Sequence, residues 1–350
     1  MIIVAEKEQK IGKIDTGIFD TFISQKLGAS DSSVIVPPRT GIDAGVISLG
    51  NGEVLIVAED PIFAIPGQPL EMFGWYTVHI GASDVAVMGV APRYMTYSLL
   101  LPPETPDEDL KTIVNSIHEA ASELGIAIVG GHTGYYPGFA APTIGGVTVF
   151  AIAKEGQYVT PAGACPGNLV LLTKGPAIET AGILAVLREK DLLEQYDADL
   201  VQRAQDLCKQ MSVVQDALTA MKSGGVTSMH DATEGGVIGG LFEIANASGV
   251  GMLIDESLFI YPPEVRMVCD FFEIDPVKTI AEGSLLITAE KDSADQIISA
   301  LKNIAIETSI IGEVTANPGE RVMKRIDGTS VPLEVPVQDP FWPVFFRSVS

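Results

Sequence analysis

Apolar and polar positions change period along this chain, and each change marks an element. From Asp107 the apolar residues Leu110, Ile113, Val114, Ile117, Ala121 and Leu124 recur at three- and four-residue steps, the period of one helix face. A second helical pattern covers 71–87 and stops at Gly89. Short apolar runs at 46–49 and 53–58 read as strands joined by the turn signal Gly50-Asn51-Gly52. Further strands are expected at 93–101 and 143–153. A buried strand at 126–129 is expected to end in a loop, Gly130-Gly131-His132-Thr133. A lead-in and a short helix around 17–26 precede all of these.

The pattern restarts after 161–167 with a strand at 169–173, then helices at 180–188, 199–211 and 213–222. Strands at 252–254, 284–289 and 309–314 alternate with helices at 263–272 and 293–303, and 332–343 reads as a proline-rich tail. Strands and helices mix in both halves, so the fold class is α/β (α+β) in two domains, 1–158 and 159–345.

Composition narrows the function. With 47% hydrophobic and 19% charged residues over 350 positions, the chain can bury a core. A formal charge of -23 repels phosphate backbones and anionic membranes, so neither nucleic acid nor membrane is an expected partner. No run of about 18 apolar residues occurs. Cys165, Cys208 and Cys269 are far apart and odd in number, which argues against a disulfide framework and for a cytoplasmic protein.

Fingerprints for a P-loop, a dinucleotide fold, a nucleophile elbow and a His-Glu-x-x-His zinc site are absent. What stands out is Ser228-Met229-His230-Asp231-Ala232-Thr233-Glu234-Gly235-Gly236-Val237-Ile238-Gly239-Gly240, a glycine-rich helix start. Asp231 and Glu234 have the spacing of a capping box. The glycines admit two readings: room for an anion at the helix N-terminus, or tight helix packing. Asp43, Asp60 and Asp84 each sit at the edge of an apolar run, where a carboxylate needs a partner. With Asp231 they suggest a magnesium–nucleotide site divided between the halves. Gly130-Gly131-His132-Thr133 is a second candidate phosphate loop, in which His132 reads either as catalytic or as structural.

The stretches 83–89 (SDVAVMG), 130–133 (GGHT) and 230–236 (HDATEGG), in this order, resemble the superfamily of aminoimidazole ribonucleotide synthetase, the PurM-like proteins. The likeness runs over roughly 35–340. HDATEGGVIGGL, GEVLIVAEDPIF and IIGEV look closest to the hydrogenase-maturation HypE-like branch. The resemblance implies a PurM-like fold whose N-terminal domains pair in a homodimer through a β-barrel, and a cleft that binds ATP and magnesium. It assigns Asp43, Asp60, Asp84 and Asp231 to the metal, and Asp84 and His132 to catalysis. Lys13, Gly130, Gly131, Thr133, Thr233, Glu234, Gly235 and Gly236 fall to the nucleotide. Two positions depart from the family's pattern: Ile42 stands where it has an acid, and Glu59 stands beside Asp60 in Ala58-Glu59-Asp60 where it has a threonine. The C-terminal cysteine of HypE is absent from Phe346-Arg347-Ser348-Val349-Ser350. The implied activity is phosphoryl transfer to an oxygen of a small-molecule or protein acceptor. A nucleotide-binding scaffold for metallocofactor assembly and a kinase like that of thiamine monophosphate are the alternatives.

Overall fold

The alternating segments of the first half pair into a six-stranded sheet. The computed structural model describes residues 11–349, so the lead-in expected over 1–10 lies outside the described residues. The strands are β1 (Val34–Val36), β2 (Gly45–Ser48), β3 (Glu53–Phe63), β4 (Tyr94–Leu101), β5 (Ala127–Tyr135) and β6 (Thr143–Lys154), ordered β1-β2-β3-β6-β4-β5. Only the β4–β5 pair is parallel. A helical turn, α1 (Thr16–Ile18), continues as a π-helical segment over Phe19–Ile23.

Helices α2 (Leu70–Ala86) and α3 (Asp107–Glu123) cover one face of this sheet. On β3, Val54, Ile56, Ala58 and Ile62 point into that core, and the alternation carries Asp60 to the same side. α2 is apolar nearly all round because it is packed on two sides, against the sheet and against the C-terminal half.

The second half supplies β7 (Leu169–Thr173), α4 (Ile178–Leu187), α5 (Glu189–Leu193), α6 (Ala198–Asp206), α7 (Val214–Ser223), β8 (Val226–Asp231) and α8 (Gly236–Ser248). Next come β9 (Gly251–Asp255), α9 (Pro263–Phe272), β10 (Leu285–Ala289), α10 (Ala294–Lys302), β11 (Thr308–Thr315), β12 (Arg321–Lys324), β13 (Ser330–Pro332) and α11 (Phe341–Val349). Its sheet has the order β13-β12-β9-β11-β7-β10-β8. β10 is buried on both faces, and its residues alternate between the main core and a second cluster under α8.

Three expectations need correction. The segment at 126–129 is not a buried strand that ends in a loop. β5 runs on through Gly130-Gly131-His132-Thr133 at the sheet edge and is largely exposed. The glycines there accompany a bulge: Met95 pairs with Ile128 and Thr96 with Gly130, which leaves Val129 extra. Asp231 is not a helix cap but the last residue of β8; the N-cap of α8 is Gly235. The proline-rich tail ends in an aromatic helix, α11, entered from Asp339, whose carboxylate accepts the Phe341 N–H.

Candidate functional site

The four aspartates converge from four elements. Asp43 lies in the loop before β2, Asp60 on β3, Asp84 in the last turn of α2, and Asp231 at the end of β8. Asp60 and Asp84 are close neighbours, and each acts on the other's carboxyl. Burial, with the Asp60, Asp231 and Asp43 carboxylates next to it, holds the Asp84 carboxyl well above the ordinary range. Burial also raises Asp43 to about 6, against the opposing pull of His230. Asp60 and Asp231 are raised by burial as well.

Two cations answer this charge. His230 is 2% exposed. Its Nδ1 lies 2.7 Å from Asp43 Oδ2 and its Nε2 2.7 Å from Glu243 Oε2 of α8. Burial works against the charged ring, but these two carboxylates hold its pKa well above the usual value. With both nitrogens protonated, the ring has no lone pair to give a metal. Lys13 is the second cation. Its Nζ donates to Thr233 Oγ1 at 2.8 Å. Burial again opposes the charge, while Glu243, Asp231, Asp43 and Asp84 hold the ammonium above its ordinary value.

A divalent cation fits this donor set. The Asp43 and Asp231 carboxylates come within 4.8 Å of each other beside His230, whose two nitrogens are already committed to Asp43 and Glu243, so the carboxylates are the ligands on offer. Asp231 is 1% exposed, and its Oδ1 is buried without a hydrogen-bond partner. Glu282, 3% exposed, leaves Oε1 in the same condition, and its carboxyl is held well up by burial and by Asp231 and Glu179. Buried acceptors that lack a donor are what a hard cation satisfies, and the oxygen donors here favour magnesium over softer ions.

The glycine-rich turn is built mainly for packing. A Cβ on Gly236 would lie 2.8 Å from the Val277 carbonyl oxygen, and one on Gly240 2.8 Å from Leu286 Cδ1. The N–H of Gly235 already donates to Asp339 Oδ2 at 2.8 Å, and that of Ile238 to the Val277 carbonyl at 3.0 Å. Thr233 and Glu234 do face the acid cluster through Lys13. Gly130, Gly131, His132 and Thr133 do not join it within one chain. Asp60 pairs with Val147, Val147 with Tyr97 and Tyr97 with Gly131, which puts roughly 14 Å of sheet between them. His132 is exposed, with Nε2 2.5 Å from the Tyr136 hydroxyl.

His230, Glu243, Glu179 and Glu282 join the site without having been singled out in the sequence. Glu282 could have been, because it is an acid at the edge of the apolar run 284–289, the same signal that marked Asp60. Glu179, whose Oε2 accepts the Glu282 N–H at 3.0 Å, is raised to about 8 by burial. Among the described residues no helix is long and apolar enough to cross a bilayer.

Residues 41–153 match the family described as AIR synthase related protein, N-terminal domain, and residues 165–325 match AIR synthase related protein, C-terminal domain. The carbamoyl dehydratase HypE of Cupriavidus necator is 31% identical over 320 residues, 84% of this chain and 86% of that protein. Among solved structures, a chain of the HypE–HypF complex aligns with a TM-score of 0.67 at 27% identity, over 83% of this chain and 93% of its own. A HypE solved in complex with ATP has the same fold, with a TM-score of 0.70 at 22% identity over 92% of each chain. With both halves matched in order, this chain belongs to the AIR synthase related family, on its HypE-like side.

Proposed function

We propose that this chain uses ATP and magnesium to activate an oxygen of a small-molecule or protein acceptor by phosphoryl transfer. The observation that carries the reading is that Asp43, Asp60, Asp84 and Asp231, drawn from both halves, are buried close enough to act on one another's charge, while Asp231 Oδ1 has no hydrogen-bond partner. These four would hold the magnesium, which when bound neutralises phosphate charge. The carboxylates exceed what Lys13 and His230 can balance, so the cluster gains from a metal. His230 keeps Asp43 and Glu243 apart and oriented. Lys13 sets a positive charge at the open side of the cluster, and Thr233 fixes its ammonium. Burial and the neighbouring carboxylates favour the protonated form of Asp84, and a bound cation would favour the charged one. A HypE solved with ATP supports the nucleotide, and the HypE–HypF complex supports a protein partner. On this reading 1–158 and 159–345 are the two domains, and the protein works in the cytoplasm as a homodimer.

Calorimetric titration of ATP with and without magnesium, on wild type and Asp231→Ala, tests this. Binding is expected to need magnesium and to weaken at least tenfold in the variant. No wild-type binding at millimolar ATP would sink the reading and leave a scaffold of the same fold.

A further inference from the structure

We infer that the Glu234 carboxylate is a latch that fastens the N-terminal end of the described chain over the acid cluster, with Trp342 of the independently anchored α11 as the residue that positions it. Glu234 Oε1 accepts the indole Nε1–H of Trp342 at 2.7 Å, and Oε2 accepts the backbone N–H of Lys13 at 2.7 Å. Each oxygen is committed to a different end. Gly12, with φ +95°, presses its backbone on the same carboxylate, and any side chain there would overlap it.

The C-terminal grip is double. Asp339, 4% exposed, accepts the N–H of Gly235 at 2.8 Å and of Phe341 at 2.9 Å, and Thr279 Oγ1 donates to it at 3.2 Å. α11 is thus tied to the turn that carries Glu234, and Trp342 packs edge-on against Phe341 and Phe345. A carboxylate on an open turn samples several rotamers; two charge-assisted hydrogen bonds select one. That rotamer places the Lys13 amide, and the ammonium follows to Thr233 and the aspartates. Trp342 therefore acts on the site through Glu234 and Lys13. The link to nucleotide binding rests on the function proposed above; the latch itself does not.

Hydrogen–deuterium exchange on the full chain without nucleotide tests the latch. Trp342→Phe keeps an aromatic ring in α11 and removes the N–H donor together with the five-membered ring. Exchange at the Lys13 amide should rise at least fivefold, while α11 keeps its protection and Tm is unchanged. Glu234→Ala should give the same acceleration with α11 still protected. Unchanged Lys13 exchange in either variant overturns the proposal. So does equal loosening of α11 in Trp342→Phe, since Trp342 would then only hold its helix. Calorimetry with magnesium and ATP should show about tenfold weaker binding in Trp342→Phe. Full affinity despite a freely exchanging Lys13 amide would overturn the positioning role. Failure of the wild type to bind ATP would instead count against the proposed function and leave the exchange result standing.

Discussion

Asp84 stands in the least favourable place for a negative charge in the cluster. It occupies the last turn of α2, where the helix dipole also opposes it, among Asp60, Asp231 and Asp43. Asn at this position keeps the shape and removes the charge problem. Without magnesium, Asp84→Asn is expected to stabilise the fold by about 1–3 kcal/mol, seen as a higher Tm. Wild type should show the converse pH trend. The fold keeps protons that the unfolded chain releases near pH 4, so stability falls as pH rises through about 6 for Asp43 and about 8 for Glu179. Magnesium at a hundredfold its Kd should return about 2.7 kcal/mol at neutral pH in wild type, and much less in Asp84→Asn. The aspartates were legible because each interrupts an apolar run. His230 lay inside a quoted motif but carried no signal of its own, because its meaning comes from Glu243 one helix away. The Trp342–Glu234 bond joins residues 108 positions apart, which no spacing rule reaches.

α8 shows how far a local pattern can be read. Its three glycines and the Gly235 N-cap were visible, but two purposes fitted them equally. The surroundings separate the positions. A Cβ on Gly239 would meet only the Glu234 carbonyl oxygen at 3.5 Å, an ordinary contact. Gly239→Ala should therefore stabilise the protein by up to about 1 kcal/mol through helix propensity. A Cβ on Gly240 would press Leu286 Cδ1 at 2.8 Å and approach His230 Cδ2 at 3.5 Å. Gly240→Ala should lose about 1–2 kcal/mol in spite of the same propensity gain. Chemical denaturation of the pair checks the opposite signs. Equal stabilisation by both would show that the packing against Leu286 yields. Long periodic elements such as α3 and the full extent of β7 were readable because burial repeats within them. β5 was misread because paired glycines usually end a strand, whereas here they serve a bulge. α11 was missed because Pro340 and Pro343 look like breakers, yet both fall near the helix start, where a missing N–H costs little.

At the scale of the whole molecule, the six-stranded sheet has its helices, among the described residues, on one face. The register sets Leu55 opposite Ile152, Val57 opposite Phe150, and Phe150 opposite Tyr94, and these side chains line the other face. Tyr94 and Phe150 pair their rings at 5.8 Å, and Ile152 is 37% exposed. A sheet face this apolar needs a second layer, which a second copy supplies on the homodimer reading. The alternation along β3 makes the consequence definite, because Asp60 and the helices lie on the opposite side from Leu55 and Val57. A charge on the open face can therefore break the pair without touching the acid cluster. Ile152→Lys is expected to shift sedimentation from dimer to monomer at micromolar concentration. Helical content measured by circular dichroism should stay the same, because Ile152 contributes nothing to the core under α2 and α3. A variant that sediments as wild type would place the dimer contact elsewhere. A wild type that is already monomeric would mean that this face serves another partner. Loss of helical content along with the dimer would show instead that the sheet cannot stand with one face bare, and that the two copies fold as one unit.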